Sequence, residues 1–241
     1  MTARYAIYFA PAADSALWRF GCRWLGRDPD SGEAFDPVPL PEFSRERHRA
    51  ITASPRHYGF HATLKAPIAL AADRSETELL AMAEAFTRDR RPFEAPPLVL
   101  RSLGGFLALV PCGDAPELSE LAADCVRAFD PFRAPPSPAE LERRRSGGLS
   151  NRHAELLERW GYPYVFEEFR FHMTLTENLS EPERSRVKAG LEPMVRDFGR
   201  WPLLVDGIAV FKQDRRDDPF HILARFPLAL LADIVDAPCP G

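Results

Sequence analysis

Two stretches decide the fold: Phe60-His61-Ala62-Thr63-Leu64-Lys65-Ala66-Pro67-Ile68-Ala69-Leu70 and Phe169-Arg170-Phe171-His172-Met173-Thr174-Leu175-Thr176-Glu177-Asn178-Leu179. Both contain the pattern Phe-His-x-Thr-Leu. On a β-strand, side chains two residues apart share a face. His and Thr therefore point to one side of each strand, and Phe, x and Leu to the other. The apolar side is suited to packing on helices, which leaves imidazole and hydroxyl together on the opposite surface.

Working outward, each stretch is followed by the same order of elements. The first leads into a helix from Ser75, with Leu79, Leu80, Ala83 and Phe86 at apolar helical spacing, then strands over Leu98–Leu103 and Gly105–Pro111. The second leads into a helix from Ser180, with Glu183 at capping-box spacing, then strands over Leu203–Phe211 and Phe220–Leu228. Between the passes lie a helix over Pro116–Phe129, a proline-rich linker through Pro138, and helical segments around Ala139–Arg145 and Asn151–Trp160. Ahead of them come a strand over Arg4–Ala10 and a helix capped by Asp14 or Ser15 that runs through Leu17, Phe20 and Leu25. A long proline-punctuated stretch, Arg27–Arg56, has room for a short helix over Ser44–Ile51 and the length of a lid or binding loop. Strand, helix, strand, strand, read twice, predicts an α+β fold of two pseudo-symmetric lobes, each an antiparallel sheet packed with helices, around a central cleft. The expected arrangement is one bilobal domain over 1–241, with lobe 1 about 1–114 and lobe 2 about 115–241.

The 31 Lys and Arg against 35 Asp and Glu give a formal net charge of −4. Grip on long nucleic acid draws on a basic excess, so the balance points to a small phosphorylated substrate instead. Arg143-Arg144-Arg145 and Arg215-Arg216 read as solvated surface. Cys22, Cys112, Cys125 and Cys239 show neither metal-ligand nor disulfide spacing. No leader or membrane-length apolar run is visible, so the expected location is the cytoplasm, without membrane contact. No metal or cofactor is expected, and the oligomeric state is left open.

Two imidazoles facing one another suit a reaction in which a proton leaves at one end and arrives at the other. Cleavage of a phosphodiester has that form, with Thr63 and Thr174 placed to donate hydrogen bonds to non-bridging phosphoryl oxygens. His61, His172, Thr63 and Thr174 are the catalytic candidates. Near-symmetry leaves the roles exchangeable; His61 is taken as acid and His172 as base. Arg4 and Tyr8 on the first strand, Tyr58 ahead of the first motif, Lys65 beyond it and Arg170 before the second are the substrate-binding candidates, with Arg56 and Tyr58 expected on the strand of His61. His221 reads as structural, His57 as non-catalytic because it alternates to the face opposite His61, and His48 and His153 as facing solvent.

The duplicated motif resembles that of the 2H phosphoesterase superfamily, which carries two H-x-[ST] motifs on pseudo-symmetric lobes. RYAIYFAP, Trp24–Asp28, Tyr58–Pro67 and FRFHMTLT further resemble a bacterial branch associated with phosphonate-utilisation operons. The resemblance implies hydrolysis of a cyclic phosphodiester or a 2′–5′ linkage, or transfer through such a species, on a small phosphorylated or cyclic-phosphate ribose compound. The alternatives are an RNA-end 2′,3′-cyclic phosphodiesterase or 2′–5′ ligase-like enzyme and, in another class, a non-catalytic phosphate-ligand binding protein.

Overall fold

The computed structural model describes residues 3–36, 38–40, 43–135 and 149–229. Its strands are β1 (Arg4–Phe9), β2 (Ala62–Ala69), β3 (Phe93–Ala95), β4 (Leu98–Leu103), β5 (Phe106–Pro111), β6 (Met173–Thr174), β7 (Leu203–Val205), β8 (Gly207–Gln213) and β9 (His221–Pro227). The helices are α1 (Ala16–Leu25), α2 (Arg45–Ile51), α3 (Ala53–Tyr58), α4 (Glu76–Arg88), α5 (Pro116–Phe129), α6 (Asn151–Trp160) and α7 (Glu181–Val195). The segment expected as a helix over Ala139–Arg145, the Arg143–Arg145 cluster and Cys239 lie outside the described residues.

The α+β class is as expected, and all the strand pairs are antiparallel. Seven strands join in one sheet, ordered β4-β5-β6-β2-β1-β8-β9, while β3 pairs with β7 apart from it. The halves divided near residue 114 thus exchange strands. β1 and β2 from the first half are extended by β8 and β9 from the second, and β6 from the second half joins β5 and β2 from the first. The reason is visible in β1: all but its first residue are buried, so both of its edges need partners, and β2 supplies only one. Helices α4 and α5 pack on β8, β9 and β2, and α7 on β4 and β5. The apolar side of each motif enters the core, with Phe60, Ala62, Leu64, Phe171, Met173 and Leu175 all buried.

Several local expectations differ from what the chain does. The second motif stretch is not an eleven-residue strand; only Met173 and Thr174 pair in the ladder. Beyond them the hydrogen bonds go elsewhere: Leu175 N–H donates to Leu107 O, Glu177 N–H to Ile51 O, and the Thr176 hydroxyl replaces a backbone partner by accepting from Leu107 N–H. The capping box expected at Ser180 does not form, because Glu183 takes a bidentate ion pair with Arg47 at 2.6 and 2.7 Å. The reciprocal box forms at Ser75 and Glu78 instead. Arg56 and Tyr58 lie on α3, not on the strand of His61. The Arg27–Arg56 stretch is pinned at its ends, since the Arg27 guanidinium donates to Arg56 O and His57 O.

Candidate active site

The first motif is set by the end of α3. Gly59 closes that helix at φ 84°, and a Cβ there would sit 2.7 Å from the Pro29 ring, so the turn needs glycine twice over. It directs Gly59 O at Nδ1 of His61, 2.9 Å away. A carbonyl only accepts, so Nδ1 carries the hydrogen and Nε2 presents its lone pair. The Thr63 hydroxyl donates to that lone pair at 3.2 Å. Beneath the imidazole, Tyr8 is buried and stacked on it, ring centroids 3.8 Å apart at 18°. Burial is the main reason His61 is lowered to about 4; the Gly59 carbonyl opposes the shift and His172 adds to it.

The second motif repeats the key contact with different surroundings. Nδ1 of His172 donates to Arg170 O at 2.7 Å, again the carbonyl two residues earlier, and again Nε2 is left as the acceptor. No ring is stacked on it among the described residues; Phe106 lies 5.9 Å away at 52°.

Two chambers with part of their lining in common adjoin the motifs. One, of about 470 Å³, is lined by His61, Thr63, Thr174, Tyr58, Ser54, Glu177 and Asn178. The other, of about 620 Å³, is lined by His172, Arg170, His153, Glu168 and the aromatic rings of Phe106, Tyr162, Tyr164, Phe166 and Phe169. Thr63, Ala66, Phe106 and Tyr162 line both. The structure thus brings His61, Thr63, Thr174, Tyr58, His172 and Arg170 to one cleft. Tyr8 is also at its wall, but its ring supports His61 from below and is covered by it.

Lys65 does not join them. Between Thr63 and Lys65 the register of β2 on β1 slips by one residue, and it slips again before Ile68, around Pro67, which has no N–H for the ladder. The slip turns Lys65 to the face of Ile7. There it is buried, with Nζ 3.0 Å from the Asp130 carboxylate and 3.3 Å from Val126 O. Arg4 keeps the face of Tyr8 but lines an adjoining cavity, not either chamber.

The remaining histidines divide. His57 meets the Gln213 amide at 3.0 Å, and His221 lies on β9 beside Asp214, both consistent with structural roles. His48 does not face solvent: it is buried, with its ring nitrogens 2.9 Å from Val38 O and Trp24 O. His153 is half-buried, bonds Glu168 at 3.1 Å and lines the second chamber. Reading the sequence also missed Tyr162, which with Ala66 lines both chambers and the adjoining cavity. Its signal is Gly161-Tyr162-Pro163-Tyr164, a helix-ending glycine followed by aromatics around a proline. Among the described residues no group of three or more His, Cys, Asp or Glu is placed to hold a metal ion, and no helix is long and apolar enough to cross a membrane.

A family model described as "Protein of unknown function (DUF1045)" matches residues 63–221, more than half of the chain. The chain belongs to this family. Two curated relatives carry the name ribose 1,5-bisphosphate phosphokinase PhnN. The one from Janthinobacterium sp. (strain Marseille) is 38% identical over 99% of this chain and 53% of its own length. The one from Laribacter hongkongensis (strain HLHK9) is 37% identical over 91% of this chain and 50% of its own length. This family member therefore spans about half the length of the curated relatives it matches. Solved structures similar to it include E. coli LigT complexed with 3′-AMP, with 14% identity over 95% of this chain and 100% of that one and a TM-score of 0.43. TT0787 of Thermus thermophilus shows 16% identity over 93% of this chain and 97% of that one, with a TM-score of 0.43.

Proposed function

We propose that this chain is a phosphoesterase that hydrolyses a small cyclic phosphodiester by acid–base catalysis between His61 and His172. The observation carrying the reading is the repeated contact of each Nδ1–H with the carbonyl two residues earlier, which presents both Nε2 atoms as proton carriers on one cleft. His61, lowered to about 4, is neutral near pH 7, and its Nε2 lone pair is freed for a proton when the Thr63 hydroxyl turns to the substrate, so in this reading it is the base. That reverses the role expected from sequence. It takes a proton from water as the water oxygen bonds to phosphorus; the ring P–O bond breaks, and the departing oxygen takes a proton from Nε2–H of protonated His172. The product is a phosphomonoester. Thr63 and Thr174 donate to the non-bridging oxygens as charge builds on them. Two imidazoles supply both proton transfers, so the reading calls for no metal.

A phosphoribosyl-type substrate of phosphonate metabolism is proposed on the name borne by the relatives, which concerns ribose bearing two phosphates. Their kinase activity is not carried over. Lys65, Lys188 and Lys212 follow Leu64, Val187 and Phe211, so the chain has no Gly-Lys phosphate-cradling turn. The aromatic second chamber favours a second reading, in which a nucleobase stacks there and the substrate is an RNA end.

The test is turnover of cyclic and linear phosphodiesters in EDTA. Activity lost in both His61→Ala and His172→Ala supports the proposal; full activity in either variant, or activity only on adding metal, sinks it. Steep salt dependence of binding to oligonucleotides would favour the RNA reading.

A further inference from the structure

A cavity of about 300 Å³ is walled by the end of α1, the turn that follows it, α2 and α3. Among the described residues it shares no lining with either chamber or with the cavity of Arg4. Arg27, Arg49 and Arg56 line it together with His48 and Thr52, and no Asp or Glu does.

These arginines meet little compensation. Arg27 is half-buried, and its guanidinium donates to the Arg56 and His57 carbonyls, which carry no net charge. Its Nη1 has no hydrogen-bond partner among the described residues. Arg56 is half-buried too, and Nη1 reaches only the Thr52 hydroxyl, at 3.5 Å, which leaves Nε and Nη2 open. Arg49 has Asp36, 3.6 Å away, exposed and shared with Arg45. Burial and the neighbouring Arg56 both disfavour the charge on Arg27, while Cys22 and Asp28 favour it. His48 makes the same demand on its surroundings. Its ring is buried, with Nδ1 2.9 Å from Val38 O and Nε2 2.9 Å from Trp24 O. Only an imidazolium donates to both carbonyls, and burial opposes that charge. An anion in the cavity favours the doubly donating ring and compensates the arginines together.

The walls of this cavity also hold both motifs. Trp24 Nε1 donates to Leu175 O at 2.8 Å, one residue past Thr174. Arg27 holds the last turn of α3, just ahead of Gly59, whose carbonyl fixes Nδ1 of His61.

We propose that this cavity binds a small phosphate-bearing anion that is not the substrate. The anion bridges Arg27 and Arg56, steadies the end of α3 and so restrains the His61 imidazole. The site stands apart from the reaction proposed above and is tested without turnover.

Inorganic phosphate is titrated at constant ionic strength into the full chain carrying Thr63→Val and Thr174→Val, so that the cleft competes less for it. The Nε–Hε resonances of Arg27 and Arg56, followed by NMR, are expected to shift along one saturable curve. Adding Arg56→Gln or Arg49→Gln raises the phosphate Kd about tenfold, and Arg56→Lys restores part of the loss. No shift, or a Kd that both glutamine variants leave intact, overturns the site. Glycerol 3-phosphate separates two sources of the same group: tighter binding than phosphate assigns the site to a phosphorylated metabolite, weaker binding to the free ion. The restraint on His61 is read from exchange of its Nδ1–H with water, which phosphate is expected to slow, and to slow less once Arg56→Gln is added. A saturable shift without slower exchange overturns the effector role.

Discussion

The two Phe-His-x-Thr-Leu segments have nearly the same sequence and different physics. His61 stands at the head of an eight-residue strand, stacked on a buried tyrosine, with its lone pair taken by Thr63. His172 stands beside a two-residue strand, with Phe106 as its nearest ring. What they share is the Nδ1–carbonyl contact, which local backbone geometry sets. What they do not share is the ring packed against the imidazole, which a distant residue, Tyr8, supplies to His61 alone among the described residues. A repeat can therefore duplicate a proton-carrying geometry while the surroundings of one copy, His61, lower its basicity.

The largest expected effect treats the segments alike: His61→Ala and His172→Ala each lower kcat/KM by about 10²–10⁴. A loss in only one, measured on folded variants, would break the comparison. The next probes the position four residues past each histidine, Lys65 and Thr176. Lys65→Met removes one partner of a buried ion pair and is expected to cost roughly 2–3 kcal/mol in denaturant unfolding, since Arg133 still neutralises Asp130. Thr176→Val leaves the Leu107 N–H without its acceptor and costs about 1–2 kcal/mol. Unchanged unfolding midpoints in the two variants would count against these costs.

The third follows from the lowered basicity of His61. The folded state disfavours protonated His61, so between about pH 4 and 6.5 the unfolded chain binds more protons at this site. Stability is therefore gained as pH rises through that window and lost as it falls, by up to about 3 kcal/mol. His61→Gln should flatten that part of the pH–stability curve; an unchanged curve refutes the shift. In the wild type the acid limb of kcat/KM is expected near the His61 value, about 4. Tyr8→Ala, by admitting water under the ring, should move that limb upward. The smallest effect separates the hydroxyls: Thr63→Val and Thr174→Val each lower kcat/KM by roughly tenfold, but only Thr63→Val should also shift the acid limb.

Much of this was legible in the sequence. Ser15, Ser75 and Ser150 cap helices where polar residues precede apolar periodicity, and α5 runs over the residues its period predicts. The histidine–threonine faces followed from alternation alone. Lys65 did not, because alternation holds only while the ladder keeps register, and Pro67 with the slip at Leu64 breaks it. His48 read as solvent-facing because its neighbours are charged. Its own helix carries those charges outward while its ring reaches carbonyls of remote segments. The short β6 was equally invisible, since the bonds that end it come from Leu107 and Ile51.

The exchange of strands has a consequence for how the chain comes apart. The histidines lie on either side of a seam, β2 against β6, whose strands come from opposite halves and meet at Ala62 and Met173. Severing the backbone in the exposed turn at Gly113 and Asp114 would give two fragments with one histidine each. The first would lack β8 to cover the edge of β1, and the second would hold β8 and β6 with no β1 or β5 to receive them. Neither fragment is a working lobe. Activity would belong to the reassociated pair, and its dependence on fragment concentration would measure how tightly the two halves of the gene product hold one another.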